Sequence, residues 1–374
     1  MRRSFLLLLL AVATACSSAS SGRTPAPAAV SRAPFDAPPA AAHAVEIEID
    51  SRAAREILES LSRPRFEPTD ARLLQDLPAV RLTVQDSKRE PEVFERDMAA
   101  AFEEKSRATV FDFWTIRQER DRWRALLSAI ASREKELARM ARQRASALLP
   151  GDRAVSARVR VYLSFGISGL ADHLVLADAM GEDTMVVDLA RALGESQGEP
   201  LDSQISRLAR LIAGGGFRQA WIVYRRENPA WSHGRGTMAP IDQLLLLVAE
   251  AGPAALFGVD ENFFPLSVWL KTPMKRAIDD LNRNSERFAQ AKESLEARVE
   301  LTGELRRPDF ARQVAGPAGA FLADAVIQTS GLDALRTALQ KGPHGLFEAY
   351  EKASQADRNL IPLSHTIRER VGKN

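Results

Sequence analysis

Apolar and polar residues alternate strictly from Val45 to Asp50, and this period of two predicts a β-strand. The run Val159–Leu163 alternates in the same way, and Thr184–Leu189 is a mainly apolar run of strand length. Ser51 follows the first run and predicts the N-cap of a short helix that extends to about Ser62. The pattern therefore predicts a small number of strands, all located before the long helical segments of the second half.

Apolar residues at spacings of three and four predict helices over most of the remaining chain. The predicted helices cover approximately 92–104, 107–149, 202–225, 240–257, 273–302, 317–330, 332–340 and 344–356. The predicted fold class is therefore mainly α with a small β-sheet, an α+β fold.

One apolar face extends from Met274 through Ile278, Leu281 and Phe288 to Val299. Its four-three spacing fits either a helix that binds a partner or a helix that packs within its own domain.

Three consecutive glycines interrupt one amphipathic pattern. The helical spacing continues from Leu208 to Tyr224 on both sides of Gly214, Gly215 and Gly216. Each glycine inside a helix costs about 1 kcal/mol relative to alanine. The glycines therefore mark either a close crossing of helices or a turn between two short helices.

The first residues have the pattern of an export signal. Arg2 and Arg3 precede the apolar run Phe5–Val12, and small residues follow, so residues 1–15 are predicted to be a signal peptide. Cys16, the one cysteine of the chain, comes directly after Ala15 and resembles the acylated cysteine of a bacterial lipobox. The alternative is ordinary signal cleavage beside an unmodified cysteine.

Residues 17–42 are rich in Ser, Ala and Pro, a composition that predicts an extended tether. The predicted organisation has five parts. They are a signal peptide (1–15), a lipidated Cys16 with its tether (16–42), a mostly helical N-terminal region (43–150), a second domain (151–360) and a tail (361–374).

Composition excludes several classes of function. The chain has 374 residues and a formal net charge of +2, and loss of Arg2 and Arg3 with the signal would leave it neutral. A neutral chain has no electrostatic footprint for nucleic acid. A single cysteine excludes an intramolecular disulfide and a cysteine-rich zinc site. The five histidines are also too widely spaced to form a short-range metal pair.

Zinc peptidases of the gluzincin type place a small sheet before an active-site helix. That helix carries His-Glu-x-x-His, and a later helix supplies a glutamate as third ligand. Residues 150–356 of this chain resemble a family of bacterial proteins of unknown function that are grouped with such peptidases. The resemblance includes the strands Val159–Leu163 and Val187–Leu189, and it is clearest in 316–350, with spaced glycines and a final Phe347 and Tyr350.

The resemblance implies a gluzincin-like architecture for the second domain and a metal motif that has been lost. It places the first histidine at Gly214, the glutamate at Gly215, the second histidine at Arg218 and the third ligand at Glu250. Glycine offers neither a ligand nor a base, and arginine is a permanent cation. These positions therefore imply no catalytic residue and no bound metal. If this alignment to the metal motif is wrong, zinc is the expected cofactor.

Two histidines and a group of acidic residues offer other candidate chemistry. His173, beside Asp172, and His233, in a segment next to the implied cleft, are candidate bases, although a histidine in the core or in solvent is the simpler interpretation. An acidic stretch suits either a hard cation or a solvated loop. Its members are Asp178, Glu182, Asp183 and Asp188.

The leading hypothesis is an exported lipoprotein, anchored in the membrane and facing the periplasm or the cell surface. Ser17 after the cysteine favours the outer membrane. Its peptidase-like domain would have lost catalysis and would bind a protein or peptide. One alternative is an active hydrolase that combines Glu250 with His233 or His173. Another is a purely structural envelope lipoprotein.

Overall fold

A computed structural model describes residues 43–103, 109–166, 173–177, 183–196, 198–231, 238–258, 268–290, 294–305, 307 and 310–372. The fold in these ranges is mainly helical with one small sheet, so the predicted α+β class is confirmed. Within the same ranges, no helix has the length and apolar content needed to cross a membrane.

The sheet has four strands in the order β1, β2, β4, β3. They are β1 (Ala44–Asp50), β2 (Ser156–Ser164), β3 (His173–Ala177) and β4 (Asp183–Asp188). Both β1 and β4 pair in parallel with β2, whereas β3 is an edge strand antiparallel to β4. Ile47 of β1 lies opposite Val159 of β2, so the sheet joins the N-terminal helical region to the second half of the chain.

Helices make up most of the remaining described residues. They are α1 (Arg52–Leu61), α2 (Pro68–Gln75), α3 (Pro78–Ser87), α4 (Pro91–Ala100), α5 (Phe113–Gln118), α6 (Arg120–Ser132), α7 (Glu134–Ala147), α8 (Leu189–Leu193), α9 (Leu201–Glu227), α10 (Pro240–Ala255), α11 (Val268–Gln290), α12 (Leu295–Leu305), α13 (Gly316–Ser330), α14 (Leu332–Gln340), α15 (Pro343–Ala356) and α16 (His365–Val371). Several helices begin with a proline, at Pro68, Pro78, Pro91 and Pro240. The first N–H groups of a helix have no acceptor within it, so the N–H that proline lacks costs no hydrogen bond there.

Helices α7 and α9 cover the apolar face of the sheet. Val45 and Ile47 of β1 are buried on that face, and the backbone of α9 approaches both of them at Gly216. On β1 the intervening Glu46 and Glu48 are exposed, and they form ion pairs with arginines of β2. The alternation in the sequence thus separates a buried face from a solvated one.

The second half of the chain is held together by a close crossing of α10 and α13. A Cβ atom on Gly252 would lie 2.4 Å from the carbonyl carbon of Gly319, and one on Gly319 would lie 2.3 Å from the carbonyl oxygen of Val248. Both positions therefore require glycine. The C-terminal helix α16 is fixed to α10 by a bidentate ion pair between Arg370 and Asp242, with bonds of 2.6 and 2.5 Å.

The structure divides two of the predicted helices. The stretch predicted as helical over 107–149 forms α5, α6 and α7, with breaks at Glu119 and Arg133. The predicted helix 273–302 forms α11 and α12, and the residues between them, 291–293, lie outside the described part. Of the apolar face described above, Ile278, Leu281 and Phe288 are buried in the domain, whereas Val299 is 65% exposed. Most of that face therefore packs internally.

Candidate functional site

Gly214, Gly215 and Gly216 lie inside an uninterrupted helix. Helix α9 continues from Leu201 to Glu227 without a break, so the alternative of a turn between two short helices is wrong. The glycines instead allow close packing, as the other alternative predicts.

Side chains approach the glycines from three directions. A Cβ atom on Gly214 would lie 3.0 Å from Cβ of Phe257, beyond the end of α10, and one on Gly215 would lie 2.6 Å from Sδ of Met185 on β4. A Cβ atom on Gly216 would lie 3.1 Å from Ile47 Cδ1 and 3.2 Å from Ala145 Cβ. The space that larger side chains would need at these positions is therefore filled by the core.

These positions do not fit a zinc centre. Neither Gly214 nor Gly215 offers a ligand, and Met185 and Phe257 occupy the adjoining space. Arg218, one turn beyond Gly214, is exposed and carries a permanent positive charge. A zinc ion needs at least three protein ligands, and its ligands are neutral imidazoles or anions.

Glu250, the implied third ligand, pairs with a cation of α9. Its carboxylate forms an ion pair with Arg225, and the two side chains are 17% and 13% exposed. Its backbone carbonyl also accepts a 3.1 Å hydrogen bond from Nε1 of Trp221. Trp221 and Arg225 lie one and two turns beyond Arg218, so these contacts connect α10 to the C-terminal half of α9.

Two tryptophans lie beside the Arg225 guanidinium, with the centroids of Trp221 and Trp231 at 5.8 and 6.0 Å from its Cζ. Trp221 stacks with Phe217 and Tyr224 at centroid distances of 6.0 and 5.4 Å, and Trp231 meets it edge to face at 4.9 Å. Nε1 of Trp231 donates a 2.9 Å hydrogen bond to the carbonyl of Leu339 on α14. The cluster is a packed junction between α9 and its neighbours, and it explains why the aromatic residues follow the helical spacing.

The other candidate groups are only partly covered by the described structure. His173 is in β3 opposite Val187, but its side chain is not among those described, and His233 lies outside the described residues. Convergence of either histidine with Glu250 therefore stays a prediction. Cys16 and the tether also lie outside the described residues.

The acidic stretch separates into residues of different kinds. Oδ1 of Asp188 accepts bonds of 2.9 and 3.2 Å from the amides of Ala190 and Arg191, so Asp188 caps α8. Asp183 belongs to β4, whereas Asp178 and Glu182 lie outside the described residues. Among the side chains that are described, no three or more His, Cys, Asp or Glu are placed to hold a metal ion.

A polar cluster that the sequence analysis did not find lies at the C-terminal end of α9. Tyr224 donates a 2.9 Å hydrogen bond to Asp152 and accepts one of 2.7 Å from Asn228. Burial and the carboxylate of Asp152 raise the pKa of Tyr224, so its hydroxyl keeps its proton. Both ring nitrogens of the nearby His43 are buried, and neither has a hydrogen-bond partner among the described residues. Burial first, and then the guanidinium of Arg336, lower the pKa of His43, and Asp152 opposes them.

Two clefts among the described residues lie away from the glycines. One, of about 360 Å³, runs between α1 and α6, and its lining includes Leu58 and Leu127. The other, of about 100 Å³, lies between α11, α13 and the segment after α15, and its lining includes Lys275 and Asp324. Sequence analysis assigned no role to these residues, because their spacing is also that of ordinary amphipathic helices.

Comparisons with known proteins leave the function to be inferred from the residues themselves. No family model, no curated protein and no solved structure matches the chain.

Proposed function

We propose that this chain is a membrane-anchored lipoprotein of the cell envelope that acts by binding a protein or peptide. Its second domain is a gluzincin-like peptidase domain that has lost its metal motif and its catalysis. The anchor is the lipidated Cys16, and the tether of residues 17–42 holds the folded part away from the membrane.

The order of elements supports the peptidase-like architecture. A small sheet ends at β4, the long helix α9 follows, and α10 carries Glu250 on a later helix. This is the order that the resemblance implies. Helix α9 also packs against the sheet, where Gly215 approaches Met185 of β4 and Gly216 approaches Ile47 of β1.

The contact between Met185 and Gly215 is the main observation that supports the proposed loss of catalysis. A glutamate at position 215 would have to displace the thioether that fills the space beside the helix. The carboxylate of Glu250 is in turn paired with the guanidinium of Arg225. A carboxylate that binds zinc would have to be available to the metal ion instead. On this proposal the domain keeps the helices and uses two of the motif positions, Gly214 and Gly215, for packing.

Peptide cleavage by the purified protein tests this proposal. Fluorogenic peptides and unfolded casein would be incubated with the full-length protein, with and without 1,10-phenanthroline. We expect no cleavage that the chelator inhibits. Cleavage that the chelator abolishes would contradict the proposal, and chelator-resistant cleavage that Glu250→Gln removes would favour the alternative hydrolase.

A further inference from the structure

Strand β1 forms one edge of the sheet and pairs on one side only. Its neighbour is β2, and the strand order places no described strand beyond it. The amide of Ala44 donates a 2.8 Å hydrogen bond to the carbonyl of Val155, which fixes the direction of the backbone groups along β1. Because alternate residues of a strand face the same neighbour, the even-numbered residues bond to β2 and Val45, Ile47 and Ile49 point away from it.

The outward backbone groups of Val45, Ile47 and Ile49 have no hydrogen-bond partner in the part of the chain that the structure describes. We call these three amides and three carbonyls the free edge of β1. The side chains of Glu46 and Glu48 between them are 68% and 45% exposed, so this part of the strand lies at the surface. A row of unpaired backbone groups along a strand is a template for pairing with another strand.

An extended polypeptide is the ligand that matches the free edge. The outward groups of β1 repeat at every second residue, which is about 7 Å along the strand, and the groups of another extended chain repeat at the same interval. A helix cannot supply this pattern, because its amides and carbonyls are bonded to one another within the helix. A lipid acyl chain has no hydrogen-bonding groups to offer.

The side chains of β1 favour a basic strand at this edge. Glu46 and Glu48 form ion pairs with Arg158 and Arg160 of β2, which lie on the side of β1 away from the free edge. The hydrogen bond from Arg158 lowers the pKa of Glu48, so its carboxylate is charged at neutral pH. Lysine or arginine on an added strand would approach the two carboxylates from the free side, and opposite charges on adjacent strands are stabilising.

A second copy of β1 is a poorer occupant of the free edge. Antiparallel pairing of two such edges would place the odd-numbered residues opposite each other, so Glu46 and Glu48 would face even-numbered residues of the second copy. Three of the four even-numbered residues of β1 are acidic. Like charges directly opposite each other on adjacent strands are destabilising.

From these features we infer that the free edge of β1 binds an extended segment of a partner protein as an added strand, with basic residues opposite Glu46 and Glu48 and apolar residues between them. The apolar residues would extend the face on which Val45 and Ile47 are buried, and Ile49 on that face is only partly buried. This inference rests on the proposed function of binding a protein or peptide and adds the site and the class of partner.

A series of peptides tests the inference directly. The probe is fluorescein-labelled Gly-Lys-Val-Lys-Val-Lys-Val-Gly. Two derivatives carry N-methyl groups, one on its three valines and the other on its three lysines, so each keeps the charge but loses the N–H groups of one edge. Fluorescence anisotropy with the full-length protein is expected to show saturable binding of the probe and of one derivative only, because one edge of the peptide bonds to β1. No binding of the probe, or the same behaviour of both derivatives, would overturn the inference.

Charge variants provide a matched control. Glu46→Gln and Glu48→Gln should each weaken binding of the probe by up to about fivefold, the effect expected of one cross-strand charge pair. Glu92→Gln removes an exposed acid in the first turn of α4 instead, and it should leave the affinity unchanged. An equal loss of affinity in Glu92→Gln would show that overall charge attracts the peptide, and it would overturn the inference.

Amide hydrogen exchange, resolved to single residues, locates the peptide on the chain. In the free protein the amides of Val45, Ile47 and Ile49 should exchange faster than those of Glu46 and Glu48, which bond to β2. The probe should slow the exchange of the first set. Protection of these outward amides before the probe is added would show that the chain itself covers the edge, and it would overturn the inference.

The remaining results separate this inference from the proposed function. Self-association that the probe inhibits would identify a second copy of this chain and overturn the inference of a separate partner. If the probe does not bind and no chelator-sensitive cleavage occurs, this inference fails while the proposed loss of catalysis stands. Cleavage of the probe that 1,10-phenanthroline abolishes would contradict the proposed function itself.

Discussion

Met185 and Gly215 are in contact in the buried core, with the thioether of the strand residue resting against the bare backbone of α9. A Cβ atom on Gly215 would lie 2.6 Å from Sδ of Met185. This contact, with those of Gly214 and Gly216, lets α9 lie against the sheet and its flanking helices more closely than a helix with side chains at these positions could. The three glycines that interrupt the sequence pattern therefore allow α9 to pack closely against β1, β4, α7 and the segment after α10.

Substitution of Gly252 should destabilise the protein strongly. A methyl group there would meet the backbone of Gly319, which cannot rotate away as a side chain can. We expect Gly252→Ala to lower the free energy of unfolding by about 3 kcal/mol, as overpacking does in a tightly packed interior. Urea denaturation followed by circular dichroism measures this change.

Gly303 is the matched control, because it also lies in a helix but a Cβ atom on it would have no atom of the described residues within 4 Å. Gly303→Ala should leave stability unchanged or raise it by up to about 1 kcal/mol through helix propensity. Similar losses of stability in both variants would mean that the α10–α13 crossing is looser than described.

Removal of Glu250 should destabilise the fold. Glu250→Ala would leave the guanidinium of Arg225, whose side chain is 13% exposed, without its carboxylate partner. Breaking a largely buried ion pair in this way costs about 3 kcal/mol. Thermal unfolding of Glu250→Ala, Arg225→Ala and the double variant measures the coupling between them. A more stable Glu250→Ala protein would instead indicate a strained functional carboxylate, as in an active site.

Stability should fall in mild acid because of His43. Burial and Arg336 place the pKa of the folded-state imidazole below the unfolded value of about 6.5. The unfolded chain therefore binds more protons than the folded protein as the pH decreases through this range, and unfolding becomes more favourable. His43→Gln should reduce the pH dependence of the urea midpoint between pH 7 and pH 5.

His365→Gln, which removes an exposed imidazole at the start of α16, controls for the loss of one histidine. An unchanged pH dependence in His43→Gln would show that other groups cause the loss of stability in acid.

Cys16 should determine where the protein is found. In a bacterial host the unaltered chain should sediment with membranes, because two or three acyl chains hold a protein there firmly. Cys16→Ser should release it into the soluble fraction, and mass spectrometry of the N-terminal peptide should show the loss of the lipid. Recovery of both forms in the soluble fraction would support ordinary signal cleavage.

Periodicity was sufficient to predict the fold class and most elements of the second half. The alternation in β1 and β2 and the three-and-four spacing of α9, α10 and α13 correspond to faces that are buried in the structure. The short helices α2 and α3 were missed, although Pro68 and Pro78 mark their first positions. Edge strand β3, whose residues 174–177 are all apolar and therefore do not alternate, was missed as well.

Local sequence patterns could not predict the contacts of the site. Tyr224 and Asp152 are separated by 72 positions, and nothing in the chain near either residue indicates that they meet. The ion pair between Arg225 and Glu250 depends on how α10 folds back onto α9, which spacing within each helix does not specify. The sequence could indicate that Gly214–Gly216 were unusual, but the neighbour that fills each space is a property of the folded core.

The zinc content of the protein tests the central claim most directly. The mature chain would be purified from membranes without a metal-affinity tag and analysed for metals by inductively coupled plasma mass spectrometry. Loss of the motif at Gly214, Gly215 and Arg218 predicts a zinc content near zero. One zinc ion per chain would contradict the account, and the ligands would then have to be sought among Glu250, His173, His233 and the acidic residues before α8.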